Sequence, residues 1–198
     1  MVYNVVQHID EALIYIIGIS LALLLLITAV MIFFLFRYRA SRNPRAADIR
    51  NNWKVEVVWT LLPSLIALSM FYVGWESYIG LRSVPPGALT IDVTAMKYAW
   101  VFTYPNKKQS EGVLVVPQGQ AVKLNLTSLD VIHSFYLPAF RIKMDALRGM
   151  TTYTWFHADK PGTYTILCAE YCGTGHADMS GLLRIIPESE YQVWLNGK

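Results

Sequence analysis

Residues 12–36 read ALIYIIGISLALLLLITAVMIFFLF, 25 consecutive positions without a charged side chain, and residues 57–75 read VVWTLLPSLIALSMFYVGW, another 19. A helix rises about 1.5 Å per residue, so these stretches reach about 37 and 28 Å against a hydrocarbon core of about 30 Å. Both are of spanning length, and the first must tilt. A cleavable leader would carry a shorter apolar run behind basic residues, whereas Asp10 and Glu11 precede this one, so it reads as a retained span. Composition agrees: the 198 residues are 54% hydrophobic and only 16% charged, with a mean hydropathy of +0.34, unlike an ordinary cytosolic globule.

Between the spans lie Arg37, Arg39, Arg42, Arg45, Arg50 and Lys54 against the lone Asp48, a net +5 in a chain whose total is +3. Such loops stay on the cytoplasmic side, or face the matrix in an organelle, so both termini and everything after Trp75 are expected on the opposite face. Attraction of the loop to anionic lipid predicts the same sidedness. Because the excess charge is not spread over a folded domain, nucleic acid is not an expected partner.

The 123 residues from Glu76 onward are nearly neutral and long enough for one compact domain. Their pattern has period two. Leu89, Ile91, Val93 and Ala95 alternate with Thr90, Asp92, Thr94 and Met96, and Val122, Leu124 and Leu126 alternate with Lys123, Asn125 and Thr127. Further strands are expected over 98–104, 113–116, 131–137, 152–157, 163–168 and 182–186, punctuated by Pro105-Asn106, Pro117-Gln118-Gly119 and Pro161-Gly162. These features predict an antiparallel sandwich or barrel, with a short closing helix over 189–196 stopped by Gly197. The chain thus divides into a two-helix transmembrane hairpin (1–81, spans about 12–36 and 55–76), a linker stiffened by Pro85-Pro86 (82–88), and an all-β domain (89–198).

Chemistry concentrates in residues 168–179, CAEYCGTGHADM, which hold both cysteines of the protein, His176 and Met179. A strand can deliver Cys168, and Gly173 and Gly175 permit a tight turn that folds Cys172 and His176 back toward it. His133, beside another expected strand, is the obvious further donor. Thiolates, imidazoles and a thioether form a soft set that suits copper and excludes magnesium or calcium as the direct guest. Structural zinc could use the same Cys₂His₂ group but gains little from a thioether. A disulfide is open to an exported domain, yet it leaves two histidines and a methionine without purpose. A mononuclear blue-copper centre needs one cysteine, so the second thiol points to two sulfurs shared by a pair of ions.

With these pieces assembled, the chain resembles subunit II of the haem-copper respiratory oxidases. The resemblance rests on the hairpin, Glu56-Val57-Val58-Trp59-Thr60-Leu61-Leu62-Pro63, His133-Ser134-Phe135 with Pro138, Lys143-Met144-Asp145, and the 168–179 loop. It implies a cupredoxin-like Greek-key domain carrying a dinuclear copper (CuA) centre. Cys168 and Cys172 would bridge both ions, His133 and His176 would each bind one, and Met179 and the Glu170 carbonyl would supply weaker contacts. The Glu170 side chain would be left for a magnesium site shared with the catalytic subunit, and Glu56 would stand at the mouth of a proton-uptake channel.

The implied function is to take electrons from cytochrome c and relay them to a partner subunit that reduces oxygen with proton pumping. Neither span contains a histidine, and haem iron or an intramembrane copper needs such ligands, so haem is expected only in partner subunits. Relatives carry Gln-Trp-x-Trp where this chain reads Lys97-Tyr98-Ala99-Trp100, which places electron uptake at Tyr98 or Trp100 and leaves a soluble or a subunit-bound cytochrome as the donor. Arg148-Gly149-Met150 replaces the usual Pro-Gly-Arg. The other readings are the equivalent subunit of a copper-containing nitric oxide reductase, and a metal-stabilised, non-redox membrane anchor. The expected location is the bacterial plasma membrane with the copper domain outside, a mitochondrial inner membrane being the other setting.

Overall fold

The computed structural model describes residues 5–45, 48 and 51–197, so Arg50 of the basic loop lies outside the described residues. It divides into two compact units, the helical residues Gln7–Tyr78 and a second unit that includes everything described from Ile79 onward.

In the first unit, α1 (Val5–Arg37) and α2 (Trp53–Arg82) overrun the apolar stretches at both ends. A nucleated helix propagates cheaply, so its ends are set by local signals rather than by where hydropathy falls. Asn52 caps α2, its side-chain oxygen accepting the Val55 N–H at 3.3 Å. At the other end Pro85 lies three residues beyond the last helical position, and the residue ahead of a proline is steered out of helical geometry. Because of this overrun His8, which stands ahead of the apolar stretch in the sequence, lies in the opening turns of α1. No α2 side chain is buried, and apolar helices bare on every side require lipid or other helices around them. Tyr15 Oη donates to Ser69 Oγ at 2.8 Å, and Ser69 Oγ in turn donates to the Ile66 carbonyl at 2.7 Å, a polar tie between the helices.

The second unit is a sandwich of two five-stranded sheets. One runs in the order β3 (Gln109–Glu111), β2 (Ala99–Thr103), β1 (Leu89–Met96), β5 (Ala121–Ser128), β8 (Thr152–His157). The other runs β4 (Val113–Pro117), β10 (Ser180–Ile186), β9 (Gly162–Cys168), β6 (His133–Leu137), β7 (Ile142–Ala146). Alternation decides what each strand buries: Val122, Leu124 and Leu126 of β5 and Ile91, Val93 and Ala95 of β1 point inward, against Leu114, Val116, Phe135, Leu137, Ile166, Leu183 and Ile185.

The sheets are mixed rather than antiparallel, because β1 pairs with β5 and β4 with β10 in parallel. The reason is the crossover: β4 belongs to the far sheet, so the chain returns beside β1 running in the same direction. Two strands absent from the sequence pattern also appear. β3 is a polar three-residue edge and β7, which carries Lys143-Met144-Asp145, buries only its two ends, so neither alternates clearly.

The expected strand over 131–137 starts only at His133. Ahead of it the Ser128 hydroxyl donates to the Val131 carbonyl at 2.5 Å and the Asp130 carboxylate accepts the Val131 N–H at 2.7 Å, local bonds that replace a ladder. The chain closes with α3 (Glu188–Asn196), whose last carbonyls are satisfied by Lys108 Nζ, 2.5 Å from Trp194 O and 2.6 Å from Gly197 O.

Candidate metal centre

β6 and β9 are neighbours, and their register places Phe135 opposite Cys168. The N–H of Ala169 donates to Ser134 O at 2.9 Å and that of Cys168 to Met179 O at 3.2 Å. These ladder bonds hold His133, Cys168 and Met179 around one point although the first and the last are 46 positions apart. Between Cys168 and Met179 the chain makes a turn through Gly173, at φ +139°, where His176 N–H donates to Gly173 O at 3.0 Å and a short 3-10 turn carries His176–Asp178.

The two sulfurs end 3.9 Å apart, as free thiols. Around them lie His133 Nδ1, 4.0 Å from Cys168 Sγ; His176 Nδ1, 3.7 Å from Cys172 Sγ; Met179 Sδ, 3.8 Å from Cys172 Sγ and 3.2 Å from His133 Nδ1; and Glu170 O, 3.3 Å from Cys168 Sγ. Ligand atoms of His133, Cys168 and Cys172 fall within 4.8 Å of one another.

Metal–thiolate bonds run about 2.3 Å, so an ion on either side of the sulfur pair can reach both sulfurs. Two sulfurs, two imidazole nitrogens, a thioether and a carbonyl are six donors. That is more than one tetrahedral ion takes, and they divide evenly between two ions that share the thiolates. His133 and Met179 stand together, while His176 approaches from the Cys172 end. The donor set therefore fits a thiolate-bridged pair of soft ions.

The surroundings prepare the ligands. His133 and Ser134 are fully buried, Cys172 and Met179 nearly so, and His176 is half-buried. His133 Nε2 lies 2.8 Å from Asp130 Oδ1, so with Nε2–H donating to the carboxylate the Nδ1 lone pair is left facing the sulfurs. Burial would raise the Asp130 carboxyl, but the bond to His133 and the Lys97 and Val131 N–H groups outweigh it and hold the group below the usual range. At Cys172, burial and then the neighbouring Cys168 push the thiol up to about 11, so metal must displace its proton on binding.

Ser134 Oγ donates to Asp145 Oδ1 at 2.7 Å and Lys143 Nζ lies 3.1 Å from the same oxygen, which places the Lys-Met-Asp segment directly behind the ligand strand.

The aromatic candidates separate. Tyr98 is 38% exposed and lies on the ligand loop: a Cβ built on Gly175 would stand 2.7 Å from its Cδ2, and its hydroxyl is 3.3 Å from Thr174 Oγ1. Trp100 is fully buried, its ring edge-on to His133 (centroids 6.2 Å apart) and to Phe135 (5.4 Å). The Glu170 side chain is exposed while its carbonyl faces Cys168. Glu56 sits in the first turn of α2, in the other unit.

The part Asp130 plays beside His133 was not read from the sequence, where it stands as an ordinary surface carboxylate. The Asp130-x-x-His133 spacing was the available signal, and only the loop geometry turns the carboxylate onto the imidazole.

Residues 2–75 match the family described as cytochrome c oxidase subunit II, transmembrane domain, and residues 101–186 match its periplasmic domain. Cytochrome c oxidase subunit 2 of Thermostichus vulcanus is 29% identical, over 89% of this chain and 70% of that protein. Alternative cytochrome c oxidase subunit 2 of Bradyrhizobium diazoefficiens is 30% identical, over 85% of this chain and 73% of that protein. The crystal structure of the periplasmic domain of subunit II of cytochrome oxidase from Bradyrhizobium japonicum aligns with 57% of this chain and 94% of its own, at 33% identity and a TM-score of 0.55.

Proposed function

The chain belongs to the cytochrome c oxidase subunit II family, and from that premise we propose that it carries a dinuclear CuA centre, takes electrons from cytochrome c and relays them to the haem-copper catalytic subunit. As a family member it is one subunit of an oxidoreductase, built of two apolar helices and a cupredoxin-like sandwich. The observation that carries the finer reading is the pair of thiols 3.9 Å apart inside a ring of two imidazoles, a thioether and a carbonyl.

The bound copper pair would supply one-electron storage with little change of geometry between redox states. The chain's own residues hold that geometry. Cys168 and Cys172 would provide the thiolates, His133 and His176 the imidazole nitrogens, and Met179 and Glu170 O the weaker donors. Asp130 fixes the His133 ring, and the β6–β9 ladder ties both ligand strands to one core. Met179, buried and 3.8 Å from Cys172 Sγ, shields that sulfur, which is itself buried, whereas Cys168 is half-buried. Tyr98 offers an exposed ring in contact with the ligand loop and Trp100 does not reach the surface, which favours Tyr98 as the residue a donor meets first.

The basic loop supports a cytoplasmic position for the turn between α1 and α2, with the copper domain and both termini on the outer face of a bacterial plasma membrane. Glu56 would then stand at the uptake side as a proton-channel residue, and the exposed Glu170 carboxylate would serve a magnesium ion held jointly with the catalytic subunit. The relatives described above are oxidase subunits, which gives no support to the nitric oxide reductase or inert-anchor readings.

The test is metal analysis and magnetic resonance on the full chain loaded with copper, beside Cys172→Ser. Two coppers per chain with an unpaired spin shared by both nuclei are expected. In Cys172→Ser that signal is expected to vanish and turnover from cytochrome c to be nearly lost, with membrane insertion intact. One copper per chain, or an unaltered signal in the variant, would refute the reading.

A further inference from the structure

The end of α1 carries a feature that electron transfer does not use. An open crevice of about 430 Å³ lies against the last turns of the helix, lined by Met31, Phe34, Leu35, Tyr38 and Arg39. Its wall is apolar and uncovered, Met31 being 61% and Leu35 70% exposed. At its mouth the chain curls back: Arg42 N–H donates to Arg39 O at 2.9 Å, Asn43 N–H to the same oxygen at 3.1 Å, and Asn43 Nδ2 to Arg37 O at 2.7 Å. This turn keeps the arginines at the helix end, with the Arg37 guanidinium 5.2 Å above the Tyr38 ring. Among the described residues, Arg37, Arg39, Arg42 and Arg45 have no carboxylate partner.

Arg39 lines the apolar crevice, Arg37 lies over Tyr38 of its wall, and Arg42 and Arg45 follow within six residues; this basic cluster beside an apolar wall at the end of a membrane span matches one kind of occupant, an amphiphile with an anionic head. We propose that this end of α1 binds an anionic phospholipid, its phosphate held by Arg37 and Arg39 and one acyl chain lying along Met31, Phe34 and Leu35. The arginine fork suits a phosphate diester bidentately, and clusters of basic residues immediately beyond a span are the usual ground for anionic headgroups. Free phosphate would satisfy the arginines but leave the apolar wall bare. A zwitterionic lipid would cover the wall but bring a choline cation to the arginines.

The site does not depend on copper. The test uses the full chain in mild detergent with equal amounts of phosphatidylglycerol and phosphatidylcholine of the same acyl composition, read by native mass spectrometry. Preferential retention of one phosphatidylglycerol is expected. Each interfacial basic side chain is worth about fivefold in binding, so Arg37→Gln with Arg39→Gln should cut the preference by about 25-fold, and the paired lysine variants should keep most of it. Met31→Trp, which fills the crevice, should lower retention while the arginines stay in place. Equal retention of the two lipids, a preference unmoved by the double glutamine variant, or release of the lipid by inorganic phosphate with the crevice variant silent would each overturn the proposal. The copper spectrum of every variant is read alongside, so a failure here is distinguishable from a failure of the electron-transfer reading.

Discussion

Replacing Asp130 by asparagine changes neither the size of the side chain nor any ligand, yet it should loosen the metal centre. The carboxylate accepts three N–H groups: His133 Nε2 at 2.8 Å and Val131 N at 2.7 Å on Oδ1, and Lys97 N at 2.8 Å on Oδ2. An amide has one accepting oxygen. Turned toward His133 and Val131, it sets its own NH₂ against the Lys97 N–H; turned the other way, it sets NH₂ against a fully buried imidazole N–H. The first arrangement wins because Lys97 lies at the surface and water can serve it. An unsatisfied donor costs about 1–3 kcal/mol when buried, so the exposed case should sit at about 1 kcal/mol. The larger effect is on the metal: losing the anion that orients and polarises a ligating histidine costs about 10–100-fold in affinity. Competition of the full chain against a copper chelator should therefore show a 10–100-fold weaker Kd, while the melting temperature of the metal-free protein drops by only a few degrees. Equal copper affinity in Asp130→Asn and the unaltered chain would refute the view that Asp130 prepares His133.

Two further outcomes follow from the site and the hairpin. Gly175→Ala drives a methyl group to 2.7 Å from Tyr98 Cδ2 and should destabilise the domain by about 1–3 kcal/mol, as overpacking does; adding Tyr98→Ala should recover much of that loss in a denaturant titration, and strict additivity would contradict the contact. Glu56→Gln should slow oxygen consumption by the assembled oxidase while the copper spectrum stays unchanged, and undiminished turnover would remove Glu56 from proton uptake.

Much of the architecture was legible because it is written in local periods. Period two in residues 89–96 and 122–126 follows from strands that bury one face, and the observed β1 and β5 contain those residues. The uncharged runs of 25 and 19 residues mark the cores of α1 and α2 for the same kind of reason. Where local periodicity was silent, elements were missed: β3 is a polar edge, and β7 has no clean alternation. Val131 and Ile132 belong to a stretch whose hydropathy reads as strand, but the Ser128 and Asp130 side chains ahead of them capture the backbone groups of Val131, and the strand starts only at His133.

The residue types in positions 168–179, together with His133, determined the chemistry before any coordinates, since soft donors select soft metals wherever they are gathered. The gathering itself belongs to the tertiary structure. His133 and Cys168 are 35 positions apart and meet only because β6 pairs with β9 in one register, and a slip of one residue would turn the ligands to opposite faces. The same long-range packing exposes Tyr98, buries Trp100 two residues later, and turns Asp130 from a surface charge into the partner of a ligand. Hydropathy and spacing are properties of neighbours along the chain, whereas these arrangements arise from contacts between segments that the chain brings together only by folding.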